Sequence, residues 1–112
     1  MPENDAPKSA VYTGQFWDDV ANTIRYITFK LRNPQAAQAL KDKLQSEIER
    51  IVGLPLELKP YFIDEVTKDA YYPLYVGNFI AFFVIVGNTF EFRRFLYSRR
   101  NLAVVLGNGD GG

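Results

Sequence analysis

The stretch Val76-Gly77-Asn78-Phe79-Ile80-Ala81-Phe82-Phe83-Val84-Ile85-Val86-Gly87-Asn88-Thr89-Phe90-Glu91-Phe92-Arg93-Arg94-Phe95-Leu96-Tyr97 places two Gly-Asn pairs between apolar runs. Each pair reads as a two-residue hairpin turn, because glycine reaches positive φ without steric cost. The reading predicts a tight antiparallel meander over residues 68–76, 79–86 and 89–97. The middle run is apolar at almost every position, as in a strand covered on both faces. The last run alternates: Phe90, Phe92, Arg94 and Leu96 point one way, and Glu91, Arg93, Phe95 and Tyr97 the other. Pro73 in the first run marks an edge or a bulge.

Upstream, Ala10-Val11-Tyr12 reads as a short strand, and Thr13 as the cap of a helix. Asp18 and Asp19 are expected in the first turn of that helix, opposing its dipole. Phe16, Val20, Ile24, Ile27 and Leu31 recur at helical spacing. Asn33-Pro34 caps and opens a second helix. Its stripe is Ala37, Leu40, Leu44, Ile48 and Ile51, and Gly53 and Pro55 stop it. So short a link makes the two helices an antiparallel hairpin. Residues 54–67 read as a loop, and residues 102–106 as one more strand or a short tail.

The order is β-α-α-β-β-β, an α+β fold with a helical hairpin on one face of a small antiparallel sheet. Paired helices cover one face only, yet the central strand is apolar on both. The second face is therefore expected to be shielded by the chain's own tail or by a partner, and a partner peptide is the favoured expectation.

Composition bounds the chemistry. The chain has 112 residues, 47% of them hydrophobic, which suits a single domain over residues 8–106. Residues 1–7 and 107–112 are polar or glycine-rich and are expected to be disordered. There is no cysteine and no histidine, which removes thiolate metal sites and the usual acid–base group near neutral pH. No metal and no cofactor is expected. Thirteen basic and thirteen acidic residues cancel, so bulk charge favours neither nucleic acid nor an anionic membrane. The polar start is unlike a signal peptide, and residues 79–86 are too few to span a bilayer. A cytoplasmic protein is expected.

Several segments resemble the RelE/ParE superfamily of toxins from bacterial type II toxin–antitoxin modules, whose members are often labelled plasmid-stabilisation proteins. Tyr12-Thr13 followed by Phe16 looks like the family's opening, and Asn33-Pro34-Gln35-Ala36-Ala37 like its link between helices. Val76-Gly77-Asn78-Phe79 resembles the typical hairpin, and Arg94-Phe95-Leu96-Tyr97-Ser98-Arg99-Arg100 the arginine-rich ending. The resemblance spans residues 12–106. It implies a RelE/ParE-like fold and a compact growth-inhibiting toxin neutralised by a cognate antitoxin that wraps it. The RelE-like branch cuts mRNA in the ribosomal A site, and the ParE-like branch poisons DNA gyrase.

Departures from the ribonuclease pattern favour a ParE-like action on a protein target. Tyr72-Pro73-Leu74-Tyr75 and Phe79-Ile80-Ala81 stand where ribonuclease members carry basic residues, and Tyr97 replaces a frequent histidine. The alternative is a ribosome-dependent endoribonuclease, and a further one is a non-toxic binding scaffold. Cleavage without a metal needs a base for the 2′-OH and a cation for the phosphorane. Arg94, Tyr97, Arg99 and Arg100 are the catalytic candidates on that alternative. Arg94 is either ion-paired within the fold or aimed into a cleft. Tyr97 reads as a packing or stacking residue. Phe82, Val84, Phe92, Arg94, Arg99 and Arg100 are the candidates for antitoxin contact. Tyr61, Phe62, Tyr71, Tyr72 and Tyr75 read as core or interface anchors, and Trp17 as core or core-edge. Antitoxin, with gyrase or ribosome as target, is the expected partner set, without direct DNA or membrane binding.

Overall fold

A computed structural model describes residues 9–54 and 57–107. Strand β1 (Ser9–Tyr12) leads into helix α1 (Gly14–Arg25), a π-helical turn (Tyr26–Lys30) and helix α2 (Pro34–Ile51). Strands β2 (Phe62–Ile63), β3 (Ala70–Val76), β4 (Phe79–Val86) and β5 (Thr89–Tyr97) follow, then helix α3 (Leu102–Gly107). The sheet order is β1-β5-β4-β3-β2, with β1 parallel to β5 and every other pair antiparallel. Of the termini expected to be disordered, residues 1–7 and 107–112, only Gly107 is described, as the last residue of α3; the others lie outside the described residues, as does Pro55.

Local chemistry sets the elements. Thr13 Oγ1 accepts from Phe16 N at 3.1 Å, and Asn33 Oδ1 from Ala36 N at 3.0 Å, so each side chain occupies one orphan donor. Asp18 and Asp19 fall past the first turn of α1, which holds no acidic residue. Gly77 and Gly87 both take φ 60°, while Asn78 and Asn88 do not enter the left-handed region. The turns are thus of the kind that needs positive φ only at the first position. Pro73 is tolerated at an edge. Tyr71 O accepts from Tyr61 N, so Tyr71 faces β2, and Pro73, two residues on, faces the same outer side beyond the end of that short strand.

The α1–α2 hairpin covers one face. Phe16, Val20, Leu44 and Ile48 pack over Phe83, Phe90, Phe92 and Phe95. A β-bulge alters the expected alternation. Phe82 pairs with Arg94 but Phe83 with Phe92, so Arg93 has no opposite number. Phe90, Phe92 and Phe95 therefore share the helix-side core, while Leu96 turns to the other face. The π-helical turn also breaks the expected α1 stripe: Leu31 is exposed.

The second face is sealed by the chain itself. Residues 102–106 form α3, neither strand nor loose tail, and Leu102 and Leu106 close over Ile80, Phe82 and Leu96. Phe62 and Tyr71 complete the cover. The expectation of a bare face awaiting a partner peptide is overturned. Phe82, Val84 and Phe92 are at most 3% exposed and offer no surface for an antitoxin. Burying Ile80, Phe82 and Leu96 contributes roughly 1.5–3 kcal/mol each, so the fold gains more by closing α3 than by leaving these groups in water. No helix among the described residues is long and apolar enough to cross a membrane.

Candidate functional site

The end of β5 gathers the predicted arginines, but the fold uses one of them, Arg94, together with its neighbour Arg93, a residue outside the candidate set. β1 stops at Tyr12, opposite Phe92, and the chain leaves the sheet through Thr13, whose N–H donates to Phe92 O at 3.0 Å. Beyond that point β5 lacks a neighbouring strand on its β1 side, while β4 stays paired on the other. Asp19 of α1 takes the strand's place, accepting from Phe95 N at 2.9 Å. Its carboxylate also accepts from Arg94 Nε at 2.8 Å and Arg94 Nη2 at 3.2 Å. Arg94 is thus ion-paired within the fold, the first of the two roles open to it.

Arg93 is held in a similar way on the α3 side. It donates to Glu91 at 2.7 Å, Asp69 at 2.9 Å and the Tyr71 hydroxyl at 3.2 Å, with its guanidinium 5.6 Å from the Tyr71 ring. Burial works against its charge, but the hydrogen bonds to Tyr71, Asp69 and Glu91 outweigh that and raise its pKa above the ordinary arginine value. Tyr97 leans on Phe79 with ring centroids 5.6 Å apart. Arg99 and Arg100 are exposed, and their side chains make no hydrogen bond or ion pair among the described residues. Arg94 is therefore tied to Asp19, while the Arg99 and Arg100 side chains have no partner among the described residues. Arg100 N donates to Tyr97 O at 3.1 Å, and no side-chain hydrogen bond joins the four catalytic candidates among the described residues.

Most of the tyrosine-rich segment is packed. Tyr61 meets Phe82 edge-on at 5.1 Å, Tyr72 stacks on Phe83 at 5.7 Å, and Phe62 lies 6.3 Å from Tyr71. Tyr75 stays 59% exposed.

The main concavity lies elsewhere, between α1 and α2. It is a groove of about 730 Å³ with Phe16, Val20, Leu44 and Ile48 as its floor. Trp17 and Phe29 form its walls and are 52% and 73% exposed. Trp17 is thus a groove wall rather than core, its ring 5.0 Å from Tyr12 and 5.5 Å from Phe16. Arg25 and Lys41 border one end of the groove; Tyr12 and Glu49 border the other. Burial, and then the Glu49 charge, raise the Tyr12 pKa, so its phenol stays neutral. A concave apolar surface with few polar groups at its ends is the form of a binding site. Phe29 lies off the apolar stripe, and with Trp17 it is the sequence signal for this groove. A scan against protein-family models matches none, and a search of curated proteins finds no relative.

Proposed function

We propose that this chain is the toxin of a type II toxin–antitoxin pair, RelE/ParE-like in fold, neutralised by a cognate antitoxin and inhibiting growth through a protein target, gyrase by analogy. The observation that carries the reading is the groove between α1 and α2: an apolar concavity walled by exposed Trp17 and Phe29 fits a protein segment. The element order, with β1 beside β5, supports the same reading. Action on a protein is favoured over mRNA cleavage because Arg94 is committed to Asp19. A catalytic cation must be free to meet the developing phosphorane charge.

The test is induced expression of the chain alone and with the neighbouring reading frame. Growth arrest relieved by the neighbour, together with loss of supercoiling by purified gyrase, is the expected result. Undisturbed growth sinks the reading, and undisturbed supercoiling sinks the gyrase target. A second reading, ribosome-dependent endoribonuclease, is favoured by the exposed Arg99 and Arg100 side chains, which have no partner among the described residues. It requires A-site cuts that vanish in Arg99→Ala.

A further inference from the structure

The groove is electrically polar along its length. Arg25 and Lys41 stand at the end toward the hairpin tip, and Glu49 at the end toward β1. Lys41 and Glu49 are about two turns apart on α2, roughly 12 Å. The cationic sign continues onto the tip, where Lys30 and Arg32 are exposed, and no acidic residue occurs between positions 20 and 41. Arg25 Nη1 donates to Asn22 Oδ1, a neutral partner that leaves its charge uncompensated. Two sparsely populated backbone conformations shape this tip: the π-helical turn, and Arg32 at φ 53°. They leave Tyr26 and Phe29 more than half exposed beside the cations.

We propose that the groove receives an amphipathic helix of a partner protein, its acidic first turn against Arg25, Lys30, Arg32 and Lys41 and its basic last turn against Glu49. The charge pattern is that of a self-stabilised helix, which carries acids at its N-terminus and bases at its C-terminus. The groove therefore fixes both the occupant's chemistry and its direction. An apolar floor suits aliphatic side chains and repels phosphate, and a neutral chain gives little affinity for polyanions. A flat bilayer does not reach Val20 and Ile48 between the helices. The inference rests on the groove being a protein-docking site, whether or not the chain is toxic.

The test is a display selection against the full chain. The probe library holds amphipathic helices of about four turns with randomised polar positions. Selected peptides are expected to carry Asp or Glu in the first turn and Lys or Arg in the last. Lys30→Glu with Arg32→Glu is expected to weaken them about tenfold at physiological salt, less at high salt. Lys59→Glu, on the loop before β2, is the neutral control, and circular dichroism verifies the fold of each variant. Peptides without charge bias, peptides indifferent to the reversal, or no binders at all overturn the proposal. So does reversal-sensitive binding of a single-stranded RNA or of phosphatidylglycerol vesicles in place of peptide. Growth arrest without acid-biased binders removes this inference alone; acid-biased binders without growth arrest remove the toxin reading alone.

Discussion

Asp19 and Arg94 lock the helical hairpin to the sheet through two hydrogen bonds, 2.8 and 3.2 Å long, while the same carboxylate accepts from Phe95 N at 2.9 Å. The Asp19 side chain is only 9% exposed and that of Arg94 24%, so the pair is shielded from bulk water. Asp19→Ala leaves a half-buried guanidinium and a strand N–H without acceptors. The expected loss is about 2–4 kcal/mol in urea unfolding. Arg94→Ala is expected to lose less, because Phe95 N keeps its acceptor. Equal stability of Asp19→Ala and the parent chain would remove the structural role and return Arg94 to the pool of free cations.

The short helix α3 makes a second prediction. Six residues do not sustain a helix in isolation, so α3 depends on Leu102 and Leu106, which are 4% and 7% exposed. Leu106→Ala should destabilise the chain by about 2–4 kcal/mol. It should also raise binding of a hydrophobic dye as Ile80, Phe82 and Leu96 open. A stable Leu106→Ala variant with no added dye binding would show that the sheet face does not need this cover.

The hairpin turns separate glycine from asparagine. Gly87 has φ 60° with open space around its Cα, so a methyl group there meets backbone strain and no clash. Gly87→Ala is expected to cost about 1–2 kcal/mol. Asn88→Ala, at ordinary φ, should stay within about 0.5 kcal/mol. Denaturation midpoints of the two variants decide it. Equal losses would mean positive φ at both positions.

These cases also mark how far the sequence could be read. The meander, both helix starts and the α2 stripe follow from local rules, since turn residues, caps and periodicity act within a few positions. The bulge at Arg93 was not legible, because an alternating run does not announce the one extra residue that shifts Phe95 into the helix-side core. Nor was α3: Leu102-Ala103-Val104-Val105-Leu106 suits a strand as well as a helix, and only the apolar face beneath it selects the helix. Phe82 failed as a predicted contact residue for that same reason, whereas Phe92 is buried on the opposite face in the helix-side core. The groove was half legible, as aromatics off the stripe, but its walls depend on a π-helical turn that no spacing rule foretells.

Tyr12 carries a pH prediction. Its pKa is raised by burial and then by Glu49, so the fold favours the neutral phenol. The stability this contributes is complete below the ordinary tyrosine pKa of about 10 and is lost as pH rises through the raised value. Tyrosinate absorbance should show a late-titrating step that disappears in Tyr12→Phe. Glu49→Gln should move the step only part of the way back, because burial is the larger cause. A complete return in Glu49→Gln would reverse that order.

Trp17 is the sole tryptophan and a wall of the groove, so its fluorescence reports on that site alone. At 52% exposure its emission in the free chain should be red-shifted and open to acrylamide quenching. An occupant that packs on the floor must cover the indole, giving a blue shift and protection from quencher. Phe29, 73% exposed, makes the companion test. Phe29→Ser removes little buried surface from the free chain, so its stability should change by no more than about 0.5 kcal/mol. It deletes a wall that an occupant would bury, so affinity should fall by about 1.5–3 kcal/mol, roughly ten- to a hundredfold. Loss of binding without loss of stability places the partner in the groove. Unchanged binding with an unmoved Trp17 spectrum would place it on another surface, with Arg99 and Arg100 the next cations to reverse.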